Sequence, residues 1–204
     1  MKNKFLIAAL SVAFFTACNS GNKKSNESHD MSNDTTQTQP PVNDTEEKAL
    51  ATPPGVNAKV AASVKKIVDG YLSMKNALTK DNDKDAAAAG KEMVNAFTDF
   101  DKVSLTASQA EMYNDIEDDA REHAEHIGEN TGNLKHQREH FDMLSKDVYE
   151  LVKSFGGGQP LYKDYCPMYN DKKGAIWLSE TKEIKNPYYG SQMLTCGSVK
   201  EEIK

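Results

Sequence analysis

Long apolar runs are scarce in this 204-residue chain. One occurs, Phe5 to Phe15, and no later stretch approaches the ~20 residues that a membrane-crossing helix needs. Any membrane association of the body must therefore come through something other than a second span. Clustered positive charge is missing as well. The 25 Lys and Arg are scattered among 31 Asp and Glu, so no basic stripe is offered to nucleic acid, which is excluded as a partner. The signatures of catalysis are absent too: no glycine-rich loop follows a strand, no helix reads His-Glu-x-x-His, and no nucleophile sits in an elbow. Gly156-Gly157-Gly158 follows a helical pattern and reads as its terminator, so an enzyme is not expected. No internal repeat is present, and cysteine is limited to three residues.

The first of those cysteines closes the one apolar run. Lys2 and Lys4 precede Phe5–Phe15, and Thr16-Ala17-Cys18 ends it with small residues, the layout of a secretory signal. A cysteine at the cut fits a lipoprotein signal over residues 1–18 with Cys18 acylated, although Phe15 stands where an aliphatic residue is usual. The alternative is a plain secreted protein that loses Cys18 with its signal. Residues 19–56 are Asn, Ser, Thr, Asp, Gln and Pro with few large apolar side chains, and read as a disordered tether. His29 and Met31 within it read as solvated residues.

After Pro53-Pro54 the periodicity becomes helical. Val60, Val64, Ile67, Val68, Tyr71, Leu72 and Leu78 recur every three or four residues, and Asp81-Asn82-Asp83 interrupts them. Ala86, Ala89, Met93, Phe97 and Phe100 form a second stripe, in which the small residues Ala86 to Gly90 permit close approach of a neighbouring helix. Thr106 with Gln109 is a capping-box signature for a third helix with the stripe Met112, Ile116, Ala120, His123 and Ile127. Leu134, Phe141, Leu144, Val148, Leu151 and Phe155 mark the fourth. The expected fold class is mainly α: an antiparallel four-helix bundle over 57–158, followed by a small irregular C-terminal lobe with short β-strands over 159–204, together one domain. Ala175–Leu178 and Ser191–Leu194 are the expected strands, with turns at Asn186-Pro187 and Tyr189-Gly190.

Chemistry is expected where lobe and fourth helix meet. Cys166-Pro167-Met168 and Met193-Leu194-Thr195-Cys196 each place a thiol near a thioether, and soft sulfur ligands select Cu(I) or silver. His136 and His140, spaced i, i+4, leave one helix flank and can reach one ion; His123 and His126 are spaced i, i+3. The expected metal set is Cys166, Met168, Met193, Cys196, His140 and His136, with copper as the ion. Plainer readings stand beside these. Cys166 and Cys196 in an oxidising compartment suggest a structural disulfide. Met168 and Met193 can fill core gaps. His123 on an apolar stripe reads as a hydrogen-bonded core histidine, and His126 as a solvated partner of Glu122 and Glu125. Trp177 reads as core.

A family resemblance then enters. Cys166-Pro167-Met168, Ala175 through Trp177-Leu178-Ser179, Ile184, Asn186-Pro187-Tyr188-Tyr189-Gly190 and Met193-Leu194 with Cys196-Gly197 closely resemble the tail of the domain of unknown function 3347 family. His136-Gln137-Arg138-Glu139-His140-Phe141 with Leu144-Ser145 is similar to that family as well, and the resemblance runs from about Val60 to Ile203. It implies heavy-metal handling, because relatives occur as lipoproteins and as the terminal domain of periplasmic adaptors in copper and silver efflux pumps. The absence of an acidic run after Cys18 then favours the periplasm, at the inner face of the outer membrane. Two functions are expected to compete. One is a periplasmic lipoprotein that binds copper or silver for sequestration or hand-over to an efflux system. The other is a non-catalytic envelope interaction module pinned by a Cys166–Cys196 disulfide.

Overall fold

The computed structural model describes residues 53–204. The expected signal, Cys18, His29, Met31 and the tether up to residue 52 lie outside the described residues. No helix among those described is long and apolar enough to cross a membrane.

Four helices follow the apolar stripes: α1 (Ala58–Leu78), α2 (Asp83–Thr98), α3 (Ala107–Glu129) and α4 (Leu134–Phe155). Each begins on a side chain that accepts a backbone N–H of the first turn: Asn57, Asn82, Thr106 and Asn133. The Thr106/Gln109 capping box has both of its hydrogen bonds. Gly156 ends α4 at φ 84°, a left-handed position that costs glycine little. Val60, Ile67, Tyr71, Met93, Phe97, Ile127, Phe141, Leu144 and Phe155 are fully buried between the helices. Consecutive helices pack on each other, and α4 closes back onto α1.

Close approach of α2 and α3 occurs where the small residues foretell it. A Cβ on Gly90 would lie 2.7 Å from the Ala124 carbonyl oxygen and 2.9 Å from the Gly128 nitrogen. The α3 stripe differs from expectation in its first member: Met112 is exposed, whereas Tyr113 is buried and stacks on Phe100. Tyr113 falls in phase with Ile116, Ala120, Ala124 and Ile127, and its ring removes more apolar surface from water than Met112 would. Residues 53–56, counted with the tether, are fastened to the bundle. The Val56 N–H donates to the Pro53 carbonyl, Gln109 donates to the Gly55 carbonyl, and Val56 packs on the core.

The lobe is a three-stranded antiparallel sheet in the order β2-β1-β3, made of β1 (Leu161–Cys166), β2 (Ala175–Ser179) and β3 (Ser198–Ile203). The Ala175–Leu178 strand is as expected, but Ser191–Leu194 is not a strand. A 3-10 turn covers Gly190–Gln192, because the local polar groups are already taken. Asp81 accepts from the Ser191 N–H and hydroxyl, and the Leu194 carbonyl accepts from the Asn186 N–H at 2.7 Å. β1 and β3 both escape the sequence pattern. Lys163, Asp164, Lys200, Glu201 and Glu202 hide the alternation of β1 and β3. In addition, the β1–β3 register shifts between Lys163 and Asp164, which leaves Lys200 of β3 without a partner on β1. Leu161, Asp164 and Cys166 are the buried members of β1.

A polar web fastens lobe to bundle. Tyr71 in α1 shares a hydrogen bond with Ser145 of α4 at 2.8 Å and accepts from the Leu178 N–H of β2 at 3.0 Å. Lys75, almost fully buried, pairs with Glu180 at 2.7 Å. Arg138 of α4 reaches the Leu78 and Pro187 carbonyls and the Asp81 carboxylate. The Ser191 hydroxyl, burial and the Arg138 guanidinium act together on Asp81, and the net result is a carboxyl held down at about 2.

Candidate metal centre

The α3–α4 hairpin gathers every histidine of the described residues. Its four-residue link, 130–133, reverses the chain, so side chains equally far from the turn come to lie side by side. His126 faces His136, and His123 faces His140. The link is held by local polar contacts: Asn130 donates to the His126 carbonyl, and the Gly132 N–H donates to Asp83 at 2.7 Å. The buried Gln137 amide binds the Ile127 and Asp83 carbonyls, which ties the end of α3 to the starts of α2 and α4.

His126, His136 and His140 each offer a ring nitrogen, and these three atoms lie within 4.8 Å of one another. All three rings are half-buried. The His123 Nδ1 lies 3.2 Å from the His140 Nδ1, close enough for one ring to donate to the other. Burial, followed by the neighbouring His126, His136 and His123, pushes the His140 imidazole down to about 4. His123 is lowered as well, mainly by burial. Both rings are thereby kept neutral, the form in which imidazole ligates a metal.

The rings are not yet in ligating order. His126 and His140 are stacked at 4.3 Å with only 5° between their planes. A metal bound to imidazole lies in the ring plane about 2.0–2.1 Å from nitrogen, and no point satisfies that for two parallel stacked rings. One of the two must turn on binding. His140 stands at 76° to His136, so a turn of His126 alone suffices to break the stack. With Nδ1 of His140 engaged by His123, its Nε2 is the nitrogen left for an ion.

The expected ligand set thus divides in two. His136 and His140 meet, but their third companion is His126, which the sequence presents as a solvated partner of acids. His126 does touch Glu122, at 3.7 Å, without being taken up by it. Cys166 and Cys196 lie with each other instead, Sγ to Sγ 3.6 Å apart and both free. Among the described residues, no group of three ligand atoms joins a thiol to an imidazole. Met168 is 45 % exposed, beside a broad groove of about 890 Å³ also lined by Met143, Tyr169 and Tyr189, and Met193 is half-buried in the turn before Cys196. Neither forms a hydrogen bond to a thiol. Trp177 is fully buried, as expected of core.

Fold and site together define a four-helix bundle with a small sheet lobe, carrying an imidazole group that can hold a metal ion on one helical hairpin. Residues 67–159 match the model of a family described as Protein of unknown function (DUF3347). The matched segment contains all four clustered histidines and ends before the lobe strands and their cysteines. No curated protein and no solved structure is found to match the chain.

Proposed function

We propose that this protein is an exported lipoprotein, anchored through Cys18, that binds copper on His126, His136 and His140 and holds it for sequestration or hand-over to an efflux system. One observation carries the metal reading: three imidazole nitrogens within 4.8 Å of one another across a helical hairpin. Copper is the ion of choice because imidazole suits it and because a nitrogen site binds Cu(II) more tightly than the other divalent first-row metals. A site that must turn one ring to close is suited to a carrier. It gives its ion up through the same motion. The anchor would keep the bundle at the inner face of the outer membrane, within reach of a periplasmic efflux adaptor.

The test is a competition titration of the full chain carrying Cys18→Ser, with Cu(II) and Zn(II) run separately against a chromogenic chelator. One copper per chain is expected, and His126→Ala or His140→Ala should each weaken it at least about tenfold. At a free metal concentration about a hundred times Kd, chelator removal should lower unfolding stability by about 2.7 kcal/mol. His140 itself should subtract stability from the metal-free protein as pH falls from 6.5 toward about 4, because the unfolded chain takes up a proton that His140 in the fold refuses; the readout is the difference from metal-free His140→Ala, in which the opposite slopes of Asp147 and Asp164 cancel. Undiminished copper binding by the His126→Ala/His140→Ala double variant would sink the proposal.

A further inference from the structure

The two cysteines excluded from the imidazole group are differently placed. Cys166 ends β1, fully buried, paired with Ala175 of β2. Cys196 is half-buried in the loop that leads into β3. That loop is fixed: the Cys196 N–H donates to Met193 at 3.0 Å, and the Cys196 carbonyl accepts from the buried Asn186 amide at 2.6 Å. The adjoining Gly197 lies against the Trp177 ring so closely that a Cβ there would sit 2.7 Å from it. With the backbone held on both sides, turning the side chains through the remaining gap is enough to join sulfurs now 3.6 Å apart. An incoming group can reach Cys196, whereas Cys166 can reach only Cys196.

A third group shares this face. Asp164 and Cys166 are two residues apart on β1 and both buried, so strand alternation puts them on the same side, about 6.6 Å apart along the strand. Asp164 is 0 % exposed, and neither of its carboxyl oxygens has a hydrogen-bond partner. Trp177, its neighbour across the ladder, also leaves its indole N–H without one. Lys75 is the cation that acts on Asp164, but its ammonium is hydrogen-bonded to Glu180. An unpartnered buried carboxyl weakens a fold, so its presence points to chemistry.

We propose that Cys166 and Cys196 are a dithiol–disulfide couple that exchanges with low-molecular-weight disulfides, with Asp164 holding the proton that Cys166 gives up. In the oxidising direction the Cys196 thiolate attacks one sulfur of the substrate disulfide. That S–S bond breaks, and the departing thiolate takes the proton released by Cys196. Cys166 then passes its proton to the Asp164 carboxylate and attacks Cys196 Sγ. The second substrate thiolate leaves and receives that proton. Two electrons have moved from the protein thiols to the substrate, which departs as two thiols. The reverse begins with an outside thiolate on Cys196. Burial pushes Asp164 up to about 7, which lets it both give and take a proton near neutrality. Burial and the facing Cys166 raise the Cys196 thiol, which slows the first attack.

The test uses the full chain carrying Cys18→Ser, reduced and then exposed to glutathione disulfide at neutral pH, with products trapped by alkylation and weighed. A bridged protein should form through a glutathione adduct and reopen with reduced glutathione. Adding Cys166→Ser should leave the adduct standing on Cys196, and adding Cys196→Ser should give none. Asp164→Asn should slow bridge closure about tenfold or more while adduct formation on the Cys166→Ser background keeps its rate. The double serine variant should bind copper as its parent does. A bridge that reduced glutathione never opens makes the pair a structural staple and overturns the exchange. Equal closure rates with and without the Asp164 carboxyl overturn its part in it.

Discussion

Gly90→Val is expected to lower unfolding stability by about 3 kcal/mol, visible as a fall in the urea midpoint at unchanged slope. The reason lies in what a Cβ would meet: backbone atoms, the Ala124 oxygen at 2.7 Å and the Gly128 nitrogen at 2.9 Å, neither of which can swing aside. α2 and α3 would have to part, opening space around the fully buried Ala86, Met93 and Ala120. Gly70→Ala makes the matched control, because its Cβ would meet the Met93 side chain at 3.3 Å, where a small shift suffices. It should cost under about 1 kcal/mol more than its helix-propensity gain returns. Equal stability of Gly90→Ala and the parent would show that the two helices do not rely on this contact. Copper affinity should fall in Gly90→Val as well, since Ala124 and Gly128 flank His126 on α3.

The second large effect is a gain. Asp164→Asn should leave the protein about as stable as its parent near pH 4 and more stable by about 3 kcal/mol at pH 8. Burial raises this carboxyl from 3.8 to about 7, opposed only by Lys75, so across that window the folded chain keeps a proton the unfolded chain has released. Stability contributed by that proton is complete below 3.8 and is lost as pH climbs toward 7, the reverse of the usual carboxylate. Asp81 has the usual sign: held at about 2, its contribution is present above 3.8 and fades only below, outside this window. Asp147, raised by burial and by Asp119 to about 6, slopes in the same direction as Asp164 but is common to both proteins and cancels in the comparison. The readout is the urea midpoint of parent and variant from pH 4 to pH 8. A constant difference across that range would show that Asp164 does not titrate there.

Much of the bundle was legible because its signals are local. Stripes at three and four residues, a capping box and a glycine stop lie within one helix length, and each matches an element to within a few residues. The Tyr113 phase was lost because Met112 beside it is equally apolar in pattern. The lobe was harder. Its strands are short, charged and displaced by a bulge, and the Ser191 turn is set by Asp81, a residue 110 positions earlier. The imidazole group was half legible. His136 and His140 announce a shared flank, but His126 reads as a neighbour of Glu122 and Glu125 until the hairpin is considered. The available signal was symmetry: His126 with His136, and His123 with His140, are centred on nearly the same point of the link. Two pairs centred on one turn must face each other across an antiparallel hairpin. For the sulfur residues, spacing marked Cys166 and Cys196 as a pair, and their Sγ atoms do lie 3.6 Å apart, but it carried no signal that Cys166 would be buried and Met168 exposed.

The outermost strand has a bearing on behaviour in a crowded compartment. β3 occupies one margin of the sheet, and three consecutive residues on it, Lys200, Glu201 and Glu202, are charged. Lys153 and Tyr149 of α4 engage Glu201, whereas Lys182 lies 3.5 Å from Glu202. A foreign strand trying to extend the sheet there would have to strip water and counter-charges from a run of ions before its first backbone hydrogen bond formed. Recruitment of neighbouring chains along this margin is therefore suppressed by charge, and copies crowded on one surface would be kept from β-type aggregation at that margin.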